Sequence, residues 1–184
     1  MPEQQAIENL LFYDPQFESY AEGFREQHPF NGIAHAVTSP NELIEAVKGY
    51  AMVKSVELVL HGSPGSIWFK GGGVMTGSYF GTIASAANML AMDARVLFLG
   101  CNIAEGPAGD KFLTEVGKNM FAGTGGVVGG TTVTNVVFKG GASRMNPLMF
   151  FGAKLKVRWF DMAGKMTAGQ DVGYFGGTTN INVK

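Results

Sequence analysis

An α/β fold, a mostly parallel sheet with helices on both faces, is what this 184-residue sequence predicts. Three observations carry the prediction. Short runs rich in Val, Leu and Phe recur at residues 10–13, 56–60 and 95–99, each closed by Gly or by Asp-Pro, and runs of that length are strands buried on both faces. Between them lie stretches with apolar residues at helical spacing, so the connections are crossovers that keep neighbouring strands parallel. Two of the runs end in reactive residues: one delivers His61 and Gly62, the other Gly100 and Cys101. In open α/β sheets reacting groups collect beyond the carboxyl ends of the strands, and these runs put an imidazole and a thiol there.

In chain order, residues 7–13 hold the Leu10-Leu11-Phe12-Tyr13 core of a first strand, stopped by Asp14-Pro15, which leaves Asp14 at the strand's carboxyl end. Residues 16–27 set Phe17, Tyr20, Ala21 and Phe24 on one helical face, and His28-Pro29 ends that helix because the residue before proline avoids the helical region. A second strand covers 32–37. Ser39 then caps a helix with Pro40 in its first turn that runs to about Lys48. The third strand leads to His61, after which Gly62-Ser63-Pro64-Gly65 is a turn and residues 66–75 a small hairpin forming one wall of a cleft. A helix over 81–92, with Ile83, Ala84, Ala87, Leu90 and Ala91 inward, returns the chain to the Cys101 strand. Pro107 opens a further helix to Phe121, and 125–130 is a fifth strand.

Nearly half of the 27 glycines follow Ala122. One domain, 1–184, is therefore expected, in which 135–184 form a less regular C-terminal appendage of loops and hairpins on the sheet. Within it, 155–162 read as a strand, Ala163-Gly164-Lys165 as a turn, and the last residues as an edge strand or tail.

Fourteen basic against fifteen acidic residues, without a run of like charge, give no surface for nucleic acid or an anionic membrane. The lone cysteine forms no internal disulfide; set against a histidine elsewhere it fits a thiol enzyme, and set against composition alone it fits core filling. No apolar stretch approaches the ~20 residues of a membrane-spanning helix, so no membrane insertion is expected. Met1-Pro2-Glu3-Gln4-Gln5 lacks the pattern of a signal peptide, which places synthesis in the cytoplasm, with any export independent of such a signal. No set of Cys, His, Asp and Glu has metal-ligand spacing, and Gly71-Gly72-Gly73 is not followed by the Lys-Ser or Lys-Thr of a phosphate loop, so no metal or cofactor is expected. His35 reads as a core histidine, His28 as an exposed helix end, and 148–151 as core packing or a protein-binding patch.

A buried strand ending in His61-Gly62, a helix, and a second buried strand ending in Gly100-Cys101-Asn102 resemble the arrangement of the caspase-like (clan CD) cysteine peptidases, the group of caspases, metacaspases, gingipains, clostripain and self-cleaving toxin domains. Residues 9–132 are similar, within that group, to an uncharacterised bacterial domain that heads large repetitive surface proteins. The resemblance implies a three-layer sandwich and a peptidase in which His61 is the general base or acid, Cys101 the nucleophile, and the amides of Gly62 and Cys101 the oxyanion donors. In metacaspases an acidic residue two positions before the cysteine recognises basic side chains; here that position is Leu99. Asp14, Thr131, Thr132 and Thr134 are the substrate-binding candidates, Asp14 also fitting a helix cap or an orienting partner. The implied partners are a protein or peptide substrate and a cognate inhibitor or immunity protein, in a bacterial effector or toxin; a resident processing enzyme is the alternative. Two other classes stand beside the peptidase: a non-catalytic module on the same fold, and an α/β-hydrolase-type esterase, which lacks its Gly-x-Ser-x-Gly elbow here.

Overall fold

The computed structural model describes residues 5–86, 88–132, 155–172 and 178–182. The strands are β1 (Gln5–Ala6), β2 (Asn9–Tyr13), β3 (Gly32–Ala36), β4 (Tyr50–Ala51), β5 (Val53–Val59), β6 (His61–Ser63), β7 (Ser66–Trp68), β8 (Val74–Thr76), β9 (Leu90–Phe98), β10 (Gly126–Thr131), β11 (Leu155–Phe160), β12 (Met166–Val172) and β13 (Thr178–Asn182). The helices are α1 (Glu18–Gln27), α2 (Pro40–Val47), α3 (Phe80–Ala86) and α4 (Gly106–Met120). Eight strands form one sheet in the order β13-β12-β11-β10-β9-β5-β2-β3. From β3 to β10 every neighbouring pair is parallel; from β10 to β13 every pair is antiparallel.

Side-chain alternation divides the core in two. Leu10 and Phe12 of β2, Val56 and Leu58 of β5, and Val96 and Phe98 of β9 share a cluster with Leu43 of α2, Phe80 and Ile83 of α3, and Phe112, Leu113 and Val116 of α4. Leu11, Tyr13, Val59 and Leu99 point the other way, onto Tyr20, Ala21 and Phe24 of α1. A period of two along strands explains why the near-continuous apolar runs feed both clusters. The molecule is thus an α/β sandwich, mostly parallel, with helices on both faces of the sheet. Beneath α1, Glu57 is buried and accepts from the Tyr20 hydroxyl at 2.8 Å, and burial raises its pKa above the ordinary carboxylate range.

Most expected elements form with ends shifted by a residue or two. Ser39 caps α2 by accepting from the Glu42 N–H at 3.3 Å, and Pro40 sits in its first turn. The helix expected over 81–92 is the exception. It stops at Ala86, and Leu90 and Ala91 are buried strand residues, because β9 reaches back to pair Leu90 with Val53. A register shift between Val53 and Ser55 and the left-handed Asp93 (φ 55°) absorb the change of direction that hides this extension from a periodicity reading. At the C-terminal end β11, β12 and β13 continue the main sheet, with the turn at residues 163–165 between the first two. Residues 148–151 and Thr134 lie outside the described residues.

Candidate active site at the carboxyl rim of the parallel strands

Four neighbouring strands end at one rim, and each end carries a residue singled out from the sequence. Asp14 follows β2, His61 follows β5, Cys101 follows β9, and Thr131 closes β10. Backbone hydrogen bonds lock three of these ends level. The Asp14 N–H donates to the Val59 carbonyl at 3.0 Å, and the Leu99 N–H to the Leu58 carbonyl at 2.9 Å.

Beyond Leu60 the chain leaves the main sheet and enters a small antiparallel one, β6-β7-β8. Pro64 followed by Gly65 at φ +80° has the pattern of a type II turn, and it pairs Ser63 with Ser66, Gly62 with Ile67 and His61 with Trp68. That register stacks the Trp68 ring on the imidazole, centroids 4.0 Å apart and planes within 13°. Phe17 lies at 5.5 Å from the same ring. Imidazole orientation is thereby fixed by hairpin geometry before any polar partner is considered.

The polar partners come from the turn after β2. Asp14 is fully buried; its Oδ1 accepts from the Gln16 N–H and its Oδ2 from the Lys70 N–H, both at 3.1 Å. Oδ2 also lies 4.0 Å from His61 Nε2. The Gln16 side-chain amide faces the same ring, its nitrogen 3.3 Å from Nδ1 and closer still to Nε2. Burial lowers the pKa of His61 below the ordinary 6.5; the Asp14 carboxylate acts against that shift and the Lys70 ammonium with it. The net shift favours the neutral imidazole, the form a base needs.

Cys101 is half-buried and opens a turn, residues 101–104, that leads into α4. The turn is pinned from three directions. The Gly65 N–H donates to the Ile103 carbonyl at 2.9 Å, the Ala104 N–H to the Thr131 carbonyl at 2.8 Å, and the Glu105 N–H to the Asn102 carbonyl at 2.9 Å. Asn102, at φ 54°, sits in the left-handed region that asparagine tolerates better than most residues, and its side-chain oxygen is buried without a hydrogen-bond partner among the described residues. Gly62 has to be glycine: a Cβ there would lie 2.6 Å from the Cys101 carbonyl and 2.3 Å from the Ile103 side chain. The backbone after the histidine and the backbone of the cysteine turn are therefore in direct apposition.

Two expected pocket residues are enclosed instead. Asp14 is buried as a cap and as a neighbour of His61, and Thr131, 1% exposed, donates its hydroxyl to the Gly100 carbonyl, so neither offers a surface to an incoming side chain. Strand ends close over their own turns here, and short polar side chains are used up in holding them. Thr132 is half-buried at the rim. Leu99 packs in the α1 cluster, away from the rim. Sequence reading missed Gln16, Phe17 and Trp68. The first two belong to a capped turn whose fold depends on Asp14, while Trp68 was countable, since a two-residue turn at Pro64-Gly65 fixes its pairing with His61. His35, near the carboxyl end of β3, faces the Tyr50 hydroxyl at 3.4 Å, and His28, before the start of β3, faces the Phe24 ring at 4.7 Å.

Among the described residues no three His, Cys, Asp or Glu side chains are grouped to hold a metal, and no helix is long and apolar enough to cross a membrane. No curated protein matches the chain. A family profile described as a domain of unknown function, DUF4347, matches residues 11–124. That span takes in Asp14, His61 and Cys101 and stops short of β10, and because it covers more than half of the sequence, the chain belongs to the DUF4347 family.

Proposed function

We propose that this domain is a caspase-like cysteine peptidase working through a His61/Cys101 dyad. The observation that supports the reading best is the run of Asp14, His61 and Cys101 on the ends of three consecutive strands, with the Gly62 backbone packed against the cysteine turn. The chemistry follows from the groups present. His61, neutral and oriented, takes the thiol proton, and the thiolate attacks a peptide carbonyl. The N–H groups of Gly62 and Cys101 bind the tetrahedral oxyanion, a contribution of about 3 kcal/mol for a typical donor. Collapse breaks the C–N bond, His61 returns its proton to the departing amine, and water releases the acyl group from sulfur. Asp14 acts as a third, orienting group through its approach to Nε2.

Alkylation of Cys101 by iodoacetamide, followed across pH by mass spectrometry, tests the dyad. An activated thiolate reacts fast below pH 7 and loses that advantage in His61→Ala; a rate that tracks an ordinary thiol of pKa ~8.5 in both proteins sinks the reading.

A further inference from the structure

Thr131 takes no part in the acid–base pair, yet one buried residue grips the cysteine turn on both sides. Its hydroxyl donates to the carbonyl of Gly100, the residue before the nucleophile, and its own carbonyl accepts from Ala104, three residues after it, at 2.8 Å. The Gly100 position has no slack: a Cβ there would lie 2.6 Å from the Leu60 carbonyl and 2.6 Å from the Ile103 side chain. No peptide bond of the described chain is cis. In a trans peptide the carbonyl oxygen and the following N–H point to opposite sides, so whatever fixes the Gly100 carbonyl also fixes the direction of the Cys101 N–H. A donor on the carbonyl further polarises the peptide and makes that N–H a stronger donor in turn. Threonine suits the task, because its branched Cβ stiffens χ1 and leaves the hydroxyl aimed.

We infer that Thr131 is a positioning residue for oxyanion binding, aiming and strengthening the Cys101 N–H through the Gly100 carbonyl. The inference rests on the proposed dyad and deepens it, by naming what holds one of its two oxyanion donors. It also separates Thr131 from residues that serve the thiol: losing its hydroxyl should weaken steps that pass through an oxyanion and spare those that do not.

Two reactions at Cys101 of the full chain make that distinction. Iodoacetamide reacts at a saturated carbon; the S–C bond forms, the C–I bond breaks, iodide leaves, and no oxyanion arises. p-Nitrophenyl acetate is attacked at its carbonyl, where the S–C bond forms, an oxyanion builds up, and collapse expels p-nitrophenolate to leave an acetyl thioester that water hydrolyses. In Thr131→Val, acetylation should fall about tenfold or more relative to alkylation, and in Thr131→Ser most of the loss should be recovered. Both rates are read on variants shown by circular dichroism to be fully folded, because an unfolded chain exposes a thiol that iodoacetamide also alkylates, and Thr131→Ala serves if the valine variant fails to fold. An unchanged ratio in the valine or alanine variant overturns the inference while leaving the dyad standing. Wild-type protein that is alkylated but never acetylated at Cys101 overturns the dyad, and this inference with it.

Discussion

The parallel and antiparallel halves of the sheet are built from similar strands and differ in what their ends can do. From β3 to β10 every strand runs the same way, so Asp14, His61, Cys101 and Thr131 arrive at one rim although up to 47 residues separate successive members in the chain (Asp14 to His61, 61 − 14). From β10 to β13 direction alternates, and neighbouring ends fall on opposite rims. What the antiparallel half carries instead is attachment. Arg158, 5% exposed, joins Asp110 of α4 at 2.8 Å to Asp171 of β12 at 2.9 Å, and Lys156 meets Asp110 at 2.9 Å. The Phe160 ring fills the space over Gly117, where a Cβ would lie 2.0 Å from it. The candidate site residues gather where strand polarity is shared, and the remaining strands secure the helix that follows the cysteine. The family profile, residues 11–124, ends before β10, so β11, β12 and β13 of the antiparallel half lie outside the matched span.

Substitutions can break this division. The largest effect should come from Cys101→Ala and His61→Ala, each cutting peptide hydrolysis by about a thousandfold or more while the melting temperature stays within a few degrees, since both residues lie beyond the strands they follow. Loss of folding in both would make the rim a packing feature. Gly62→Ala should come next. The added methyl meets the Cys101 carbonyl and Ile103, forcing the two backbones apart, so kcat falls and stability drops by about 1–3 kcal/mol, read by hydrolysis and denaturant titration on one preparation. Arg158→Ala belongs to the other half. It should cost about 1–3 kcal/mol, below the figure for a fully buried pair because Asp110 and Asp171 are 46% and 39% exposed, and should leave the activity per folded molecule unchanged. Lost activity in fully folded Arg158→Ala would show that the two halves are not separable.

Much of the parallel half is legible in the sequence, for physical reasons that differ by element. The strands ending at Tyr13, Val59 and Phe98 close on short runs rich in Val, Leu and Phe, and α2 announces itself through Ser39 and Pro40. The positions of His61 and Cys101 follow from those strand ends alone. Less legible was the start of β9, where Leu90 and Ala91 continue an apolar helical pattern and only the pairing with Val53 makes them strand. The part of Asp14 as a cap was legible from Asp14-Pro15, whereas its approach to the imidazole and the bond of Thr131 to a peptide carbonyl depend on how tightly neighbouring strand ends close, which no local pattern encodes. The salt bridges of Arg158 and Asp110 join residues 48 apart and had no local signal at all.

The smallest effect expected is also the most specific to the rim. Burial lowers the pKa of His61, and the Asp14 carboxylate partly offsets this by favouring the imidazolium. Asp14→Asn keeps the size of the side chain and one acceptor for the cap while removing the charge, so the pKa of His61 should fall further. Hydrolysis needs one proton shared between thiol and imidazole; the acidic limb of kcat/KM marks the uptake of a second proton and the alkaline limb the loss of the first. In the wild type the acidic limb should lie below pH 6.5, because the imidazole is already a weaker base than a free histidine. In Asp14→Asn an imidazole that holds its proton less firmly moves the profile toward acid, by less than about one pH unit at a distance of 4.0 Å from a partly screened ring. A shift toward alkali would mean that Asp14 acts on the ring by packing alone. No shift, with a lower maximum, would reduce it to the cap of the turn after β2.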